Sequence, residues 1–90
     1  MGEVNIEASL RAENPKAKEI DISVYAATLK AYFEAQDNVG RNGAIVAHPR
    51  TGAPIENPYL KIQTAQGAAL AKMVRIKSDA TIKALKAAAE

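Results

Sequence analysis

The sequence predicts an all-α fold: an antiparallel helical hairpin, about 22–41 and 58–76, plus a short C-terminal helix, assembling into an oligomer. Three observations predict it. Apolar residues in both long segments recur at helical spacing. Asn42-Gly43 reads as a helix stop and Asn57-Pro58 as a helix start. Large apolar side chains are also scarce. Nearly half of the 48% hydrophobic fraction is alanine, with no tryptophan and one phenylalanine. Leu, Ile, Val and Phe together stand close to the ~20% level below which chains struggle to fold. At 90 residues the chain is one domain at most. It is expected to finish its core against copies of itself.

Residues 1–20 read as a flexible N-terminal segment, and 21–90 as a helical oligomerisation core with a basic C-terminal third. Val4, Ile6 and Leu10 support at most a short helical turn before Asn14-Pro15 breaks it, and "KAKEID" reads as a linker. Asp21 is then the expected N-cap of the first long helix. At 100° per residue, Ile22, Ala26, Leu29, Phe33 and Gly40 share one face, with Tyr25 and Gln36 beside them. A second shoulder carries Val24, Ala27, Ala31, Ala35 and Val39, and its alanines allow another helix to approach closely. Lys30–Glu34 and Asp37–Arg41 are i,i+4 pairs on the polar side. Gly43 is the expected C-cap.

In "AIVAHPRTGAPIENP", Ile45 and Val46 suit extended chain, while Pro49 and Pro54 exclude a helix. A short hairpin and an ordered extended loop both fit, and the loop is favoured. Asn57 caps the second helix, with Pro58 at its first position. One face of that helix holds Tyr59, Ile62, Gln66, Ala69, Met73 and Ile76. A second holds Leu60, Gly67, Ala71 and Val74, with Leu70 between them. Only the strip with Lys61, Lys72 and Arg75 stays polar. An apolar arc that wide exceeds what one hairpin partner covers, so the second face is assigned to a neighbouring subunit. Ser78 is the expected cap of a last helix from Asp79, with Ile82, Leu85 and Ala89 as its apolar stripe.

Charge and composition narrow the function. Residues 59–90 carry six cations against Asp79 and Glu90, whereas residues 1–58 are net acidic. This asymmetry suits a polyanion or an acidic partner. Without cysteine there is no disulfide or thiolate metal site. The N-terminus has no apolar run after a basic patch, so no secretory leader is expected and the expected setting is a cytoplasm. His48, the one histidine, has no triad or metal partners near it in sequence and reads as polar loop. No glycine matches a phosphate-binding loop. No catalytic residue, metal or cofactor is expected. "ALAKMVRIKSDATIKALKAA" also imitates a helix-turn-helix. Ala71, Val74, Ile76, Ile82 and Leu85 would pack it, and Ser78, Asp79, Thr81 and Lys83 would face the groove.

The run from about Ile20 to Leu85 resembles the bacteriophage terminase small subunits, in the family with an Asn-Pro-Tyr-Leu-Lys-Ile helix start. The resemblance is carried by Asp21, Tyr25, Tyr32, Ala35 and Gly43, then "TGAPIENPYLKI", Met73 and "IKSDATIKAL". The family's Gly-Leu-Thr-Pro-Ser appears here as "RIKSD", and the segment before Ile20 is too short for a separate N-terminal DNA-reading domain. The resemblance implies viral DNA packaging in a host cell cytoplasm. The chain would be a non-catalytic, ring-forming subunit that binds double-stranded DNA weakly and with little sequence preference, and presents it to the large terminase subunit. Lys61, Lys72, Arg75, Lys77, Lys83 and Lys86 are the expected DNA-binding residues. Ala27, Ala31, Ala35, Leu60, Gly67, Ala71 and Val74 are the expected oligomer interface. The alternative is a small dimeric helix-turn-helix regulator reading bases with Thr81 and Lys83. A third reading is a helical interaction module for an acidic partner.

Overall fold

A computed structural model describes residues 5–73 and 75–89. Val4 and Val74, given packing roles above, lie outside the described residues. The chain runs α1 (Ile6–Glu13), α2 (Glu19–Asn42), β1 (Ile45–Ala47), β2 (Pro54–Glu56), α3 (Pro58–Lys72) and α4 (Asp79–Ala89). It is predominantly helical, with a small two-stranded sheet.

The segment expected to be flexible instead forms α1. Asn5 caps it by accepting from the Ala8 N–H at 3.0 Å, and Leu10 is fully buried. An eight-residue helix is too short to stand alone, so its order comes from tertiary contacts, chiefly with α2 and with the start of α4. Glu13 supplies one of these contacts. Its carboxylate accepts from the Ala80 N–H at 2.9 Å and the Thr81 N–H at 3.1 Å. Those are two of the N–H groups that the first turn of α4 leaves without helical partners. The Thr81 hydroxyl also donates to Glu13, at 2.6 Å, and so accepts from Ser9 Oγ, also at 2.6 Å. Asn14 continues the clasp: its amide donates to the Lys77 carbonyl and accepts from the Lys77 N–H, both at 2.7 Å. Ser78 is therefore not the side-chain cap of α4 that the sequence predicts. Its hydroxyl is buried against the Tyr25 hydroxyl at 2.7 Å.

α2 begins before the predicted Asp21 cap. Lys18 takes the cap position without a side-chain bond, and Glu19 and Asp21 fall in the first turn, where the helix dipole favours acids. Arg11 also holds Glu19 from α1. The helix stops where the sequence predicts, at Gly43, whose φ of +85° suits glycine.

The connector is a β-hairpin, not the favoured loop. Ile45 pairs with Glu56, Val46 with Ile55 and Ala47 with Pro54. The prolines do not oppose it, because Pro54 opens its strand and Pro49 lies in the tip, where no ladder N–H is required. Asn57 anchors the arm to the helices and is 2% exposed. Its amide donates to Asn38 Oδ1 at 3.0 Å and to the Gly43 carbonyl at 2.9 Å, while its oxygen caps α3 at the Tyr59 N–H.

α3 ends at Lys72, short of the predicted Ile76. Met73 turns the chain so that residues 77–81 reach α1. α2 and α3 pack antiparallel. At Gly67 an added Cβ would stand 3.1 Å from the Tyr32 ring, so the glycine permits the close approach. The core is Leu10, Ile22, Tyr25, Ala26 and Leu29, with Phe33, Leu70, Met73, Ile82 and Leu85 partly buried against it. α1 and α4 thus cover the Ile22–Ala26–Leu29 side of α2. α3 has no fully buried residue at all.

The body is extended, 50 × 30 × 17 Å, with a radius of gyration of 15.2 Å. A compact domain of this length has about 12 Å. Its accessible surface is 6532 Å², against about 5,100 Å² for a typical monomer of this mass.

Two outcomes test the α1 contacts. Leu10→Ala should cost about 2–5 kcal/mol in urea unfolding, whereas a flexible segment would give no change. Burial pushes the Glu13 carboxyl up, but the Thr81 hydroxyl and the Ala80 and Thr81 N–H groups outweigh it and hold the pKa below the ordinary 4.5. The folded value is depressed, so this stabilisation is present above pH 4.5 and is lost as pH falls through the folded value. Glu13→Gln should cost about 1 kcal/mol at pH 6 and lose less than the parent between pH 6 and pH 3. An acid loss equal to the parent's in urea melts would refute the cap.

Candidate nucleic-acid interface

Two turns meet at one end of the molecule. Asn14 breaks α1 and hands the chain through Pro15, Lys16 and Ala17 to Lys18 at the start of α2. The Met73 turn releases Arg75, Ile76 and Lys77 from α3. The paired bonds between the Asn14 amide and the Lys77 backbone hold these turns side by side. The result is a cleft lined by Glu13, Asn14, Lys16, Lys18, Asp21, Arg75 and Lys77, among others. A second cleft, between α2 and the end of α3, is lined by Asp21, Val24, Lys72, Met73, Arg75 and Ile76. The two adjoin through Asp21, Arg75 and Ile76.

Lys16, Lys18, Lys72, Arg75 and Lys77 therefore cluster, and all five are exposed. The ion pairs among the described residues join Arg11 to Glu7 and Glu19, and Arg41 to Asp37. None involves the cluster. Of its acidic neighbours, Glu13 is committed to α4, which leaves Asp21 as the nearby counter-charge. Such an arrangement can hold successive phosphates of a polyanion.

The six predicted cations do not make one surface. Lys72, Arg75 and Lys77 come together. Lys61 lies in the first turn of α3, about 16 Å of helix axis from Lys72. Lys83 and Lys86 are exposed on α4. Lys16 and Lys18 were missed because "KAKEID" reads as a linker. The contacts of Glu13 and Asn14 with residues 77–81, more than sixty positions away, bring them to the cluster.

The helix-turn-helix assignment of Thr81 and Ser78 is corrected. Thr81 is 0% exposed and bonded to Glu13 and Ser9. Ser78 is buried beneath Tyr25. Neither hydroxyl is free to meet a base edge. His48 holds the arm's tip, its Nδ1 accepting from the Arg50 and Thr51 N–H groups at 3.1 and 3.3 Å.

The predicted interface residues divide. Ala35 is fully buried within the single chain, Gly67 faces Tyr32, and Leu60 is half-buried. Burial of Ala35 corrects its assignment to a subunit contact. Ala71 is exposed, as is Ala27, and Ala31 is half-buried. Conversely, Tyr59 and Ile62, read as the inward face of α3, are 40% and 39% exposed. They join Ile20 and Val24, which are 65% and 47% exposed on α2. On α2, Val24, Ala31 and Asn38 recur every seventh residue and so lie along one edge. Val24 shares a cleft with Met73, and Asn38 shares one with Tyr59. The edge of α2 from Val24 to Asn38 therefore runs beside the edge of α3 from Met73 to Tyr59. Together they form one apolar face of the hairpin, and neither α1 nor α4 covers it.

Among the described residues no group of three or more His, Cys, Asp or Glu is placed to hold a metal ion, and no helix is long and apolar enough to cross a membrane. Protein-family models, characterised proteins and solved structures give no match to this chain.

Proposed function

We propose that the chain is a non-catalytic, self-associating DNA-binding subunit of the terminase small subunit type, which holds viral DNA for a large subunit that carries the chemistry. The observation that supports it most is the cluster of Lys16, Lys18, Lys72, Arg75 and Lys77, exposed and outside every described ion pair. Lys16, Lys18, Arg75 and Lys77 lie on two short turns and Lys72 closes α3, so the cations do not line one face of a recognition helix. This suits backbone phosphates and not base edges. The "IENPYLKI" helix start, which resembles that family's, supplies the packaging context. The large surface and the uncovered hairpin face favour an assembly of copies, which multiplies weak phosphate contacts by avidity. Host cell cytoplasm is the corresponding setting.

Fluorescence anisotropy with a short duplex at stepped salt tests this reading. Binding should be weak and sequence-indifferent, and log K should fall linearly with log salt. The combined Lys72→Ala, Arg75→Ala and Lys77→Ala variant should flatten that slope by roughly 0.9 for each phosphate it no longer neutralises. Adding Lys16→Ala and Lys18→Ala should flatten it further, and Lys61→Ala should do little. A footprint at one sequence that survives raised salt would contradict the proposal.

A further inference from the structure

We propose that the uncovered hairpin face is the contact between two copies of this chain, related by a two-fold axis that sets the hairpins antiparallel. This rests on the reading that copies associate, and it makes a two-fold pair, in place of the expected ring contact, the unit of that association.

Four observations converge on it. First, the face carries the largest exposed apolar side chains of both helices, Ile20, Val24, Tyr59 and Ile62. Second, the chain exposes 6532 Å², about 1,400 Å² more than a typical monomer of its mass. A standard interface removes about 800 Å² from each partner, so one such contact lies within that surplus. Third, the face is charged oppositely at its two ends. Lys72 and Arg75, with Asp21 of α2 beside them, rim the Val24–Met73 end and leave it net positive. Glu34 and Asp37 rim the Tyr59–Asn38 end, where Arg41 pairs with Asp37 and leaves Glu34 without an ion pair among the described residues. A parallel arrangement would set like ends together. A two-fold antiparallel one lays Lys72 and Arg75 over Glu34 and Asp37, twice. Fourth, the α2 edge is narrow in its middle. Ala31 lies midway between Val24 and Asn38, with Ala27 beside it. Small residues there let the two α2 helices cross near the axis at the short end of the 8–10 Å range for packed helices.

The chain contains no cysteine, so single-cysteine variants of the full chain report the geometry. Upon mild oxidation, Ala31→Cys, beside the axis, should couple to itself as a covalent dimer. Val24→Cys should not couple to itself but should couple to Asn38→Cys when the two are mixed. Arg75→Glu and Glu34→Lys should each weaken self-association about tenfold in sedimentation, because each broken pair occurs twice. Combining them should return it to within about twofold of the parent. If the parent sediments as an oligomer while Ala31→Cys stays uncoupled, or Val24→Cys couples to itself, this face and orientation are overturned and the association stands. If the parent is a monomer throughout the micromolar range, the association falls with it. Lys16→Ala with Lys18→Ala, at residues outside this face, reads the salt dependence of DNA binding separately and decides the cation cluster.

Discussion

The architecture depends on the grip of Glu13 and Asn14 on residues 77–81. α4 has no cap of its own, because Ser78 is engaged by Tyr25. Without a carboxylate from α1, the N–H of the buried Thr81 in its first turn would lack an acceptor, which costs more than the bond itself is worth. The same contact places α1 and α4 together over one side of α2. It also draws the α1–α2 turn against the α3–α4 turn. Burial of Leu10, the cation cluster and the exposure of the opposite hairpin face all follow from that one closure.

The hairpin of α2 and α3 was legible from the sequence because its signals are local. Gly43 ends one helix, Asn57-Pro58 begins the next, and Ile22, Ala26 and Leu29 share a buried face at helical spacing. The orientation of α3 was not legible. Its apolar residues surround most of the circumference, so periodicity could not choose between the Leu60–Gly67 side and the Tyr59–Ile62 side. The close approach of Tyr32 to Gly67 made the choice. α1 was missed because a short helix is decided by what it touches, and its hydrogen-bond partners at the start of α4 stand more than sixty positions away. The β-hairpin was missed because Pro49 and Pro54 were weighed as breakers without regard to their positions in the turn and at the strand start. In the candidate site, Lys72, Arg75 and Lys77 were legible from charge alone. Lys16 and Lys18 required the fold.

The cluster and the apolar face are neighbours, since Arg75 and Asp21 line both clefts at that end. Under the proposed pairing, Arg75 has a share in each. Its guanidinium would be partly neutralised by the partner's acidic end, which moderates the local potential of the pair. Lys16, Lys18 and Lys77 lie outside the apolar cleft and would keep their full charge toward a phosphate chain.

α3 gives the molecule a weak side. Fifteen residues long, it is held by half-buried side chains and by the single asparagine at its start, with nothing wholly enclosed. Elements with few enclosed contacts open at a lower free energy than the whole fold. In an isolated chain the amides of α3 would exchange with solvent by local opening, ahead of those beneath Leu10 and Leu29. A second layer laid against the Tyr59–Ile62 side would close that route, so protection of this helix records association more directly than any global melt does.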